Sequence, residues 1–300
     1  MAQKILYILN PGDNISPFDV TMAADAGFNQ ILPFTNIQPE NVTAMVQDAI
    51  FARPPKRFND TGIFIGGRDV HLAADMFQNA KKAMVGPFEV GVFADPNGAY
   101  TTSASVLALV QKALQDNHQG GLKGRTVAVF GTGPVGLCTA ILAAKEGATT
   151  RLCKLTADDD KNIATRFCER YQVSVDWVSA LTHDEKTAVL KDVDVVICVA
   201  KAGIRILDIK ELEAADNLLV VADTNAVPPS GVAGIGMHDL NTEIEYAGGT
   251  FHSIGPLAIG NIKSKTELGL FKHIQESEQA ALIDFPEAYE FATSLVKDLK

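Results

Sequence analysis

One stretch near the middle of the chain, TVAVFGTGPVGLCTAILAAKEGATTRLCKLT at 126–156, restricts the fold more than any other. It opens with a β-branched run typical of a buried strand, continues through Gly131, Gly133 and Gly136, and passes directly into an apolar helical pattern. A G-x-G-x-x-G sequence between a strand and a helix is the fingerprint of a dinucleotide-binding βαβ unit. The sequence therefore predicts a Rossmann domain built around this turn.

The three glycines have separate roles in such a turn. Gly131 permits the tight turn, Gly133 lets the backbone approach a pyrophosphate, and Gly136 lets the helix pack closely against the strand. The N–H groups and the positive dipole end of the helix face the phosphates. The other positions of the predicted phosphate-binding segment are Thr132, Pro134 and Val135. A glycine turn with a purely structural role is the alternative.

The end of the second strand, expected at TRLCK, decides which cofactor fits. A carboxylate about 20 residues beyond the first glycine would bind the ribose 2′-hydroxyl of NAD. No carboxylate occurs there before Asp158, whereas Arg151, Lys154 and Thr156 are available as cofactor contacts. Because a lysine attracts a 2′-phosphate, the sequence favours NADP, or the use of both NADP and NAD. The alternative is that Lys154 is an exposed loop lysine.

Short apolar runs alternate with helical patterns along the chain, which is typical of parallel sheets covered by helices on both faces. We expect a substrate domain over residues 1–118 and a Rossmann domain over 119–264. The polar helical region 265–300 is expected to complete the first domain, with no further strand after Gly260. The predicted fold is α/β with two domains: a doubly wound NAD(P)-binding Rossmann domain and an N-terminal α/β domain with a parallel sheet.

Composition excludes several classes of protein. The formal net charge of −10 argues against a nucleic-acid surface, which needs clustered lysine and arginine. No window approaches the roughly 20 apolar residues that a membrane-spanning helix requires. The four cysteines are widely separated and form no C-x-x-C pair, so no metal site is predicted. We expect a cytoplasmic protein with reduced thiols.

The residue pairs used by two common dehydrogenase classes are missing. None of the five tyrosines is followed by lysine four positions later, which removes the Tyr-x-x-x-Lys pair of short-chain dehydrogenases. The cysteines of zinc-dependent alcohol chemistry are missing as well. A reaction that depends on positioning more than on acid–base catalysis is favoured, such as hydride removal from a carbon flanked by nitrogens.

Other segments carry an unusual combination of residues. They are SPFDV (16–20), FIGGRDV (64–70), DPNGAYTTSA (95–104), GTGPVG (131–136), ADTNAVPPSGVAGI (222–235) and IGPLAIGNIKSK (254–265). Together they resemble, over essentially the full length, the NAD(P)-dependent methylene-tetrahydromethanopterin dehydrogenases of methylotrophic bacteria, a family that includes members acting on methylene-tetrahydrofolate. The resemblance implies an enzyme of one-carbon metabolism that oxidises methylene- to methenyl-tetrahydromethanopterin in formaldehyde oxidation and reduces NAD+ or NADP+. It also implies a homo-oligomer.

These segments fall at expected strand ends, where ligands bind in doubly wound sheets. The predicted catalytic residues are Lys263 and Asp95. The predicted substrate contacts are Asp19, Asp69, Asn97 and Thr102, whose polar groups suit the edge of a pterin. The further predicted cofactor contacts are Ala200, Lys201, Ala202, Asp223 and Asn225. Helix capping is the alternative for Asp19 and Thr102, and plain exposure is the alternative for Lys263.

Two other functions stay open at this point. One is an NADP-dependent enzyme of the shikimate- or amino-acid-dehydrogenase kind, in which lysine and aspartate transfer protons during carbonyl reduction. No obvious Lys–Asp pair precedes the Rossmann segment to support it. The other is a noncatalytic NADP-sensing protein, which would bind the cofactor without turnover.

Overall fold

The computed structural model describes residues 3–299, in which strands and helices largely alternate. The strands are β1 (Ile5–Leu9), β2 (Gln30–Phe34), β3 (Thr61–Ile65), β4 (Gly91–Ala94), β5 (Thr126–Phe130), β6 (Thr149–Lys154), β7 (Asp176–Ser179), β8 (Val195–Cys198), β9 (Val220–Asp223), β10 (Leu240–Tyr246), β11 (Gly249–Ile254) and β12 (Leu282–Ile283). The helices are α1 (Pro17–Asp25), α2 (Pro39–Phe51), α3 (Val70–Ala83), α4 (Ala99–Asp116), α5 (Pro134–Lys145), α6 (Lys161–Tyr171), α7 (His183–Leu190), α8 (Ile209–Leu212), α9 (Pro256–Glu276) and α10 (Phe285–Val296).

The chain is organised in two compact units, of which the first is discontinuous. Unit 1 comprises the chain up to Thr101 together with Ser264–Phe291, and unit 2 comprises Thr102–Lys263 with the chain from Ala292 onward. The sequence-based limits are 118 and 264, whereas the first division falls inside α4. The assignment of one unit to the substrate and the other to the cofactor stays a prediction.

The described part of unit 1 is built on a five-stranded sheet in the order β12-β4-β3-β1-β2. Every adjacent pair is parallel, as the sequence predicts for this unit. The strand β12 comes from the C-terminal segment and pairs with β4, so the expectation that no strand follows Gly260 is wrong. Two residues are too few to show the alternation by which a strand is recognised.

Helix α9 fills the core of unit 1. The ring of Phe271 lies with its centroid 5.2 Å from the ring centroids of both Phe64 and Phe93, which belong to β3 and β4. Ile274 lies so close to the sheet that a Cβ on Gly91 would meet its side chain at 2.7 Å. The strands of a parallel sheet are apolar because they are buried on both faces, and α9 covers β3 and β4. The C-terminal segment is therefore part of the core of unit 1.

Unit 2 contains a seven-stranded sheet in the order β10-β11-β9-β8-β5-β6-β7. From β7 to β11 the strands are parallel and take the order 3-2-1-4-5-6 of a Rossmann domain, which confirms the predicted α/β fold. The strand β10 pairs antiparallel with β11 at one edge. This strand was not predicted, although Leu240, Ile244 and Tyr246 recur with its period of two.

None of the helices within 3–299 is long and apolar enough to cross a membrane. Over the same range, no group of three or more His, Cys, Asp or Glu side chains is placed to hold a metal ion.

The cysteines are buried free thiols. Burial raises the pKa of Cys153 and of Cys198 to about 12, so neither is a nucleophile at neutral pH.

Candidate functional site

The glycine turn lies at the carboxyl end of β5, inside the unit 2 sheet. Gly131 has a φ of 122°, in the left-handed region that favours glycine. A Cβ on Gly131 would meet the backbone of Val199 and Ala200 at 3.1 Å. A Cβ on Gly136 would overlap the carbonyl oxygen of Gly131. Both positions therefore need glycine. A side chain at Gly131 would crowd the backbone that follows β8, and one at Gly136 would clash with the turn itself.

Gly133 is the open position of the turn. It is the exposed N-cap residue of α5, and no atom lies within 4 Å of the position that a Cβ would take. Pro134 follows at the first helical position, where its missing N–H costs nothing. Thr132 and Val135 are half-buried beside it. An open backbone before the N-terminus of an apolar helix forms a cradle that fits a pyrophosphate.

The three residues predicted beside the ribose have different surroundings. Lys154 ends β6 half-buried, and its ammonium has no hydrogen-bond or ion-pair partner within residues 3–299. Thr156 is exposed two residues later. Arg151 lies in mid-strand and forms a two-pronged ion pair with Asp192, at 2.6 and 2.8 Å, which raises the arginine pKa. It also donates to the carbonyl of Val189. These bonds occupy the Arg151 guanidinium, and its contact with the cofactor stays a prediction.

A carboxylate that no sequence pattern indicated lies in the loop after β6. Asp159 accepts hydrogen bonds from the N–H groups of Leu155, at 3.0 Å, and Thr156, at 3.1 Å. Burial by itself would raise the pKa of Asp159, but these hydrogen bonds lower it below its ordinary value. The Thr132 hydroxyl, inside the glycine turn, is a further cause that lowers the pKa of this carboxyl. The carboxylate is therefore ionised at neutral pH.

The loops after β8 and β9 contain the other predicted cofactor residues. The loop after β8 holds Ala200, Lys201 and Ala202. Buried Asp223 accepts from the N–H groups of Asn225 and Val232, each at 3.0 Å, while burial raises its pKa. Asn225 accepts from the N–H of Gly203 at 3.0 Å and donates to the carbonyl of Pro229 at 2.8 Å. Asn225 therefore links the two loops, while Asp223 orders the loop after β9, and the cofactor contacts of both residues stay a prediction.

Unit 1 carries a polar pocket at the carboxyl ends of its strands. A cavity of about 320 Å³ is lined by residues 14–17 and by Asp19, Gly67, Arg68 and Asn97. Ser16 is the N-cap of α1, so Asp19 is not the cap and its carboxylate lines the cavity. The pocket thus brings together Asp19 and Asn97, two of the predicted substrate residues. Arg68 was not predicted as a site residue, although it lies within the segment FIGGRDV that carries the resemblance.

The other predicted site residues are placed at the start of α3, inside α4 and inside α9. Asp69 is the N-cap of α3 and accepts from the N–H groups of His71 and Leu72, at 2.8 and 3.1 Å. Thr102 lies inside α4 and is not a cap. Lys263 lies in the middle of α9, because the segment 254–265, expected at a strand end, is helical from Pro256 on.

Asp95 is fully buried and holds the start of α4. Its Oδ1 accepts from the N–H of Tyr100 at 2.8 Å and of Thr101 at 3.2 Å, and its Oδ2 accepts from the Thr101 hydroxyl at 2.5 Å. The carboxylate therefore has a structural task, and its catalytic role stays a prediction.

A parallel sheet in Rossmann order with an open glycine cradle on its first strand defines a dinucleotide-binding protein of the dehydrogenase type. A family model described as "Methylene-tetrahydromethanopterin dehydrogenase, N-terminal" matches residues 17–97. The NAD(P)-dependent methylenetetrahydromethanopterin dehydrogenase of Methylorubrum extorquens is 39% identical, covering 98% of this chain and 99% of the relative. The chain therefore belongs to the family of NAD(P)-dependent methylene-tetrahydromethanopterin dehydrogenases, which confirms the resemblance.

Two more comparisons extend this result. A second protein of Methylorubrum extorquens, named bifunctional protein MdtA, is 32% identical over 98% of this chain and 100% of its own length. The shikimate 5-dehydrogenase of Listeria monocytogenes, solved with shikimate and NAD, has a TM-score of 0.52 at 12% identity, covering 98% of this chain and 96% of its own. At that identity the likeness shows the fold alone.

Proposed function

We propose that this chain transfers a hydride from methylene-tetrahydromethanopterin to NAD+ or NADP+, giving methenyl-tetrahydromethanopterin. The observation that carries the proposal is 39% identity, over almost the full length of both chains, to a relative named for this reaction. The open position at Gly133 supports it, since a dinucleotide needs that space. The shikimate-dehydrogenase alternative has only a likeness of fold behind it.

The cofactor fits unit 2. The glycine turn from Gly131 to Gly136 would hold the pyrophosphate through its N–H groups, with Lys154 and Thr156 at the ribose end and the loop 200–202 at the nicotinamide end. When bound, the nicotinamide supplies the hydride acceptor. The task of the protein is to bind and orient, because nitrogen lone pairs on the substrate stabilise the cation left after hydride loss.

The substrate fits the unit 1 pocket. The pyrimidinone edge of a pterin presents amino and ring N–H donors beside a carbonyl acceptor. The carboxylate of Asp19 is suited to accept from the donors, and Arg68 or Asn97 is suited to donate to the carbonyl. The volume of about 320 Å³ accommodates a bicyclic ring. Because tetrahydrofolate has the same ring edge, its methylene derivative is the second substrate to test.

Turnover of the purified protein tests the proposal directly. Methylene-tetrahydromethanopterin is mixed with NAD+ or NADP+, and the absorbance of reduced nicotinamide is followed. We expect a rise that depends on the pterin. Cofactor binding without any rise would instead favour the NADP-sensing alternative, and a rise with shikimate in place of the pterin would favour the other enzyme class.

Replacing Lys263 by alanine is expected to lower kcat/KM for the methylene substrate by about tenfold or more. The reason is the predicted contact of its ammonium with the pterin or with the carboxylate-bearing tail of the substrate. Steady-state kinetics measure the effect, with Lys263→Arg as the control that keeps the charge. Unchanged kcat and KM in the alanine variant would remove Lys263 from the site.

Replacing Lys154 by aspartate is expected to weaken NADP+ binding about 100-fold and NAD+ binding far less. The change removes an attraction for the 2′-phosphate and adds a repulsion, whereas a 2′-hydroxyl is uncharged. Titration calorimetry with each cofactor gives both dissociation constants. Lys161→Asp makes the same charge change at the start of α6 and is the control. Equal losses for the two cofactors would contradict the assignment of Lys154.

The family also supports a cytoplasmic homo-oligomer. The resemblance that implies the reaction implies this assembly as well. Analytical ultracentrifugation of the purified chain measures its mass in solution, and a monomer at micromolar concentration would refute the oligomer.

A further inference from the structure

The carboxyl end of β6 is in direct contact with the glycine turn. The N–H of Gly131 donates to the carbonyl of Cys153 across a distance of 3.2 Å. In a Rossmann domain the adenosine ribose lies at this strand end. The residues that follow Cys153 are therefore next to the 2′ position of a bound cofactor.

Asp159 returns to this point from the loop after β6. Its Oδ2 accepts from the N–H groups of Leu155 and Thr156, at 3.0 and 3.1 Å, directly after the strand. The carboxylate is therefore held at the carboxyl end of β6, where the Thr132 hydroxyl of the glycine turn is a further cause that lowers its pKa. The hydrogen bonds keep the carboxylate ionised, so its negative charge is fixed in place.

The neighbouring charges have other positions. Lys154 stands at the same strand end with its ammonium unpaired in the described chain. Asp160 is the N-cap of α6 and accepts from the N–H of Asn162 at 2.8 Å. Asp158 is exposed. Asp159 is thus the one of the three consecutive aspartates whose carboxylate is held by the backbone N–H groups directly after β6.

We infer that Asp159 determines cofactor specificity by placing a fixed negative charge beside the ribose 2′ position, where it offsets Lys154. The inference rests on the proposed function, because it assumes that NAD(P) binds at the glycine turn. A 2′-phosphate, with close to two negative charges at neutral pH, is repelled by Asp159 and attracted by Lys154. A 2′-hydroxyl responds weakly to both. With both residues present the site accepts NAD as well as NADP, whereas Lys154 alone would favour NADP.

The dissociation constants of NAD+ and NADP+ for Asp159→Asn test this inference. We expect the ratio of the NADP+ constant to the NAD+ constant to fall about tenfold relative to the unchanged protein. Asp158→Asn is the matched control, since it makes the same charge change one residue away at an exposed position. Its ratio is expected to change less than about twofold at physiological ionic strength. Asp159→Ala removes the charge as well and should shift the ratio in the same direction.

Thr132→Val separates the surroundings of Asp159 from its charge. It removes the turn hydroxyl that lowers the pKa of Asp159 and changes no charge, so both cofactors should weaken by a similar factor and the ratio should stay constant. The ratio shift of Asp159→Asn should also shrink as salt is raised, because screening weakens the repulsion.

Two results would overturn the inference. One is an Asp159→Asn ratio equal to that of the unchanged protein, and the other is an equal shift with Asp158→Asn. If the unchanged protein turns over the pterin with NAD(P)+ while either result is found, this inference alone fails. If the unchanged protein binds neither cofactor, the proposed function fails together with it.

Discussion

Replacing Gly136 by alanine is expected to abolish dinucleotide binding and to lower the Tm by roughly 6–12 °C. A Cβ at this position would overlap the carbonyl oxygen of Gly131 and lie 2.8 Å from its carbonyl carbon. Both are backbone atoms of the turn, so the helix has to move away from β5 at a cost of about 3 kcal/mol. Thermal melting measures the loss of stability, and calorimetric titration with NAD+ and NADP+ measures the loss of binding.

Gly133→Ala is the matched control for this effect. The methyl group is the same, but Gly133 has a φ of −70° and no atom lies within 4 Å of its Cβ position. We expect an unchanged Tm together with cofactor binding weakened about tenfold or more, because the methyl group fills the space that a pyrophosphate needs. A Gly136→Ala protein that melts like the unchanged one would show that the turn is not packed as described. Normal binding by Gly133→Ala would move the pyrophosphate elsewhere.

Replacing Asp95 by alanine is expected to reduce the free energy of unfolding by about 3 kcal/mol. The fully buried carboxylate accepts three hydrogen bonds, from the N–H groups of Tyr100 and Thr101 and from the Thr101 hydroxyl. Alanine removes this acceptor at the first turn of α4. The backbone N–H groups of a first turn have no acceptor within the helix itself, so they lose a hydrogen bond that the helix does not replace. Chemical denaturation followed by circular dichroism measures the change.

Asp95→Asn separates the structural task of this residue from its predicted catalytic one. Asparagine keeps an oxygen that can accept from both N–H groups, so most of the stability should be retained. A large fall in kcat at near-normal stability would support a catalytic role for the charge. An Asp95→Ala protein as stable as the unchanged one would contradict the structural task.

The glycine turn and its sheet could be predicted because all their determinants lie in one short stretch. The strand Thr126–Phe130, the three glycines and the apolar helix Pro134–Lys145 follow one another without interruption, so local pattern determines local structure. The alternation of Leu240–Tyr246 was equally local and indicates that this strand could have been found as well.

The tasks of individual polar side chains could not be predicted in the same way. Arg151 forms an ion pair with Asp192, which is 41 residues away in the chain. Only the folding of the chain brings the two side chains together. Asp159 returns to the end of β6 because of the path of a loop, and a loop path leaves no periodic signal. The polar pocket of unit 1 brings Asp19 and Asn97 together with Arg68, which lies within the segment FIGGRDV but was not itself predicted as a site residue. Which side chains meet at the candidate site is therefore determined by tertiary contacts, and these leave no pattern in the sequence.

The place of α9 and β12 in unit 1 has a consequence for the order of folding during synthesis. A ribosome makes the chain from the N-terminus, so residues up to Thr101 emerge long before Phe271. Until then Phe64 and Phe93 lack the ring that packs on them, while the Rossmann unit has almost all of its own chain. Unit 2 is thus free to fold first, and the N-terminal strands of unit 1 complete their core only after α9 and β12 have been made.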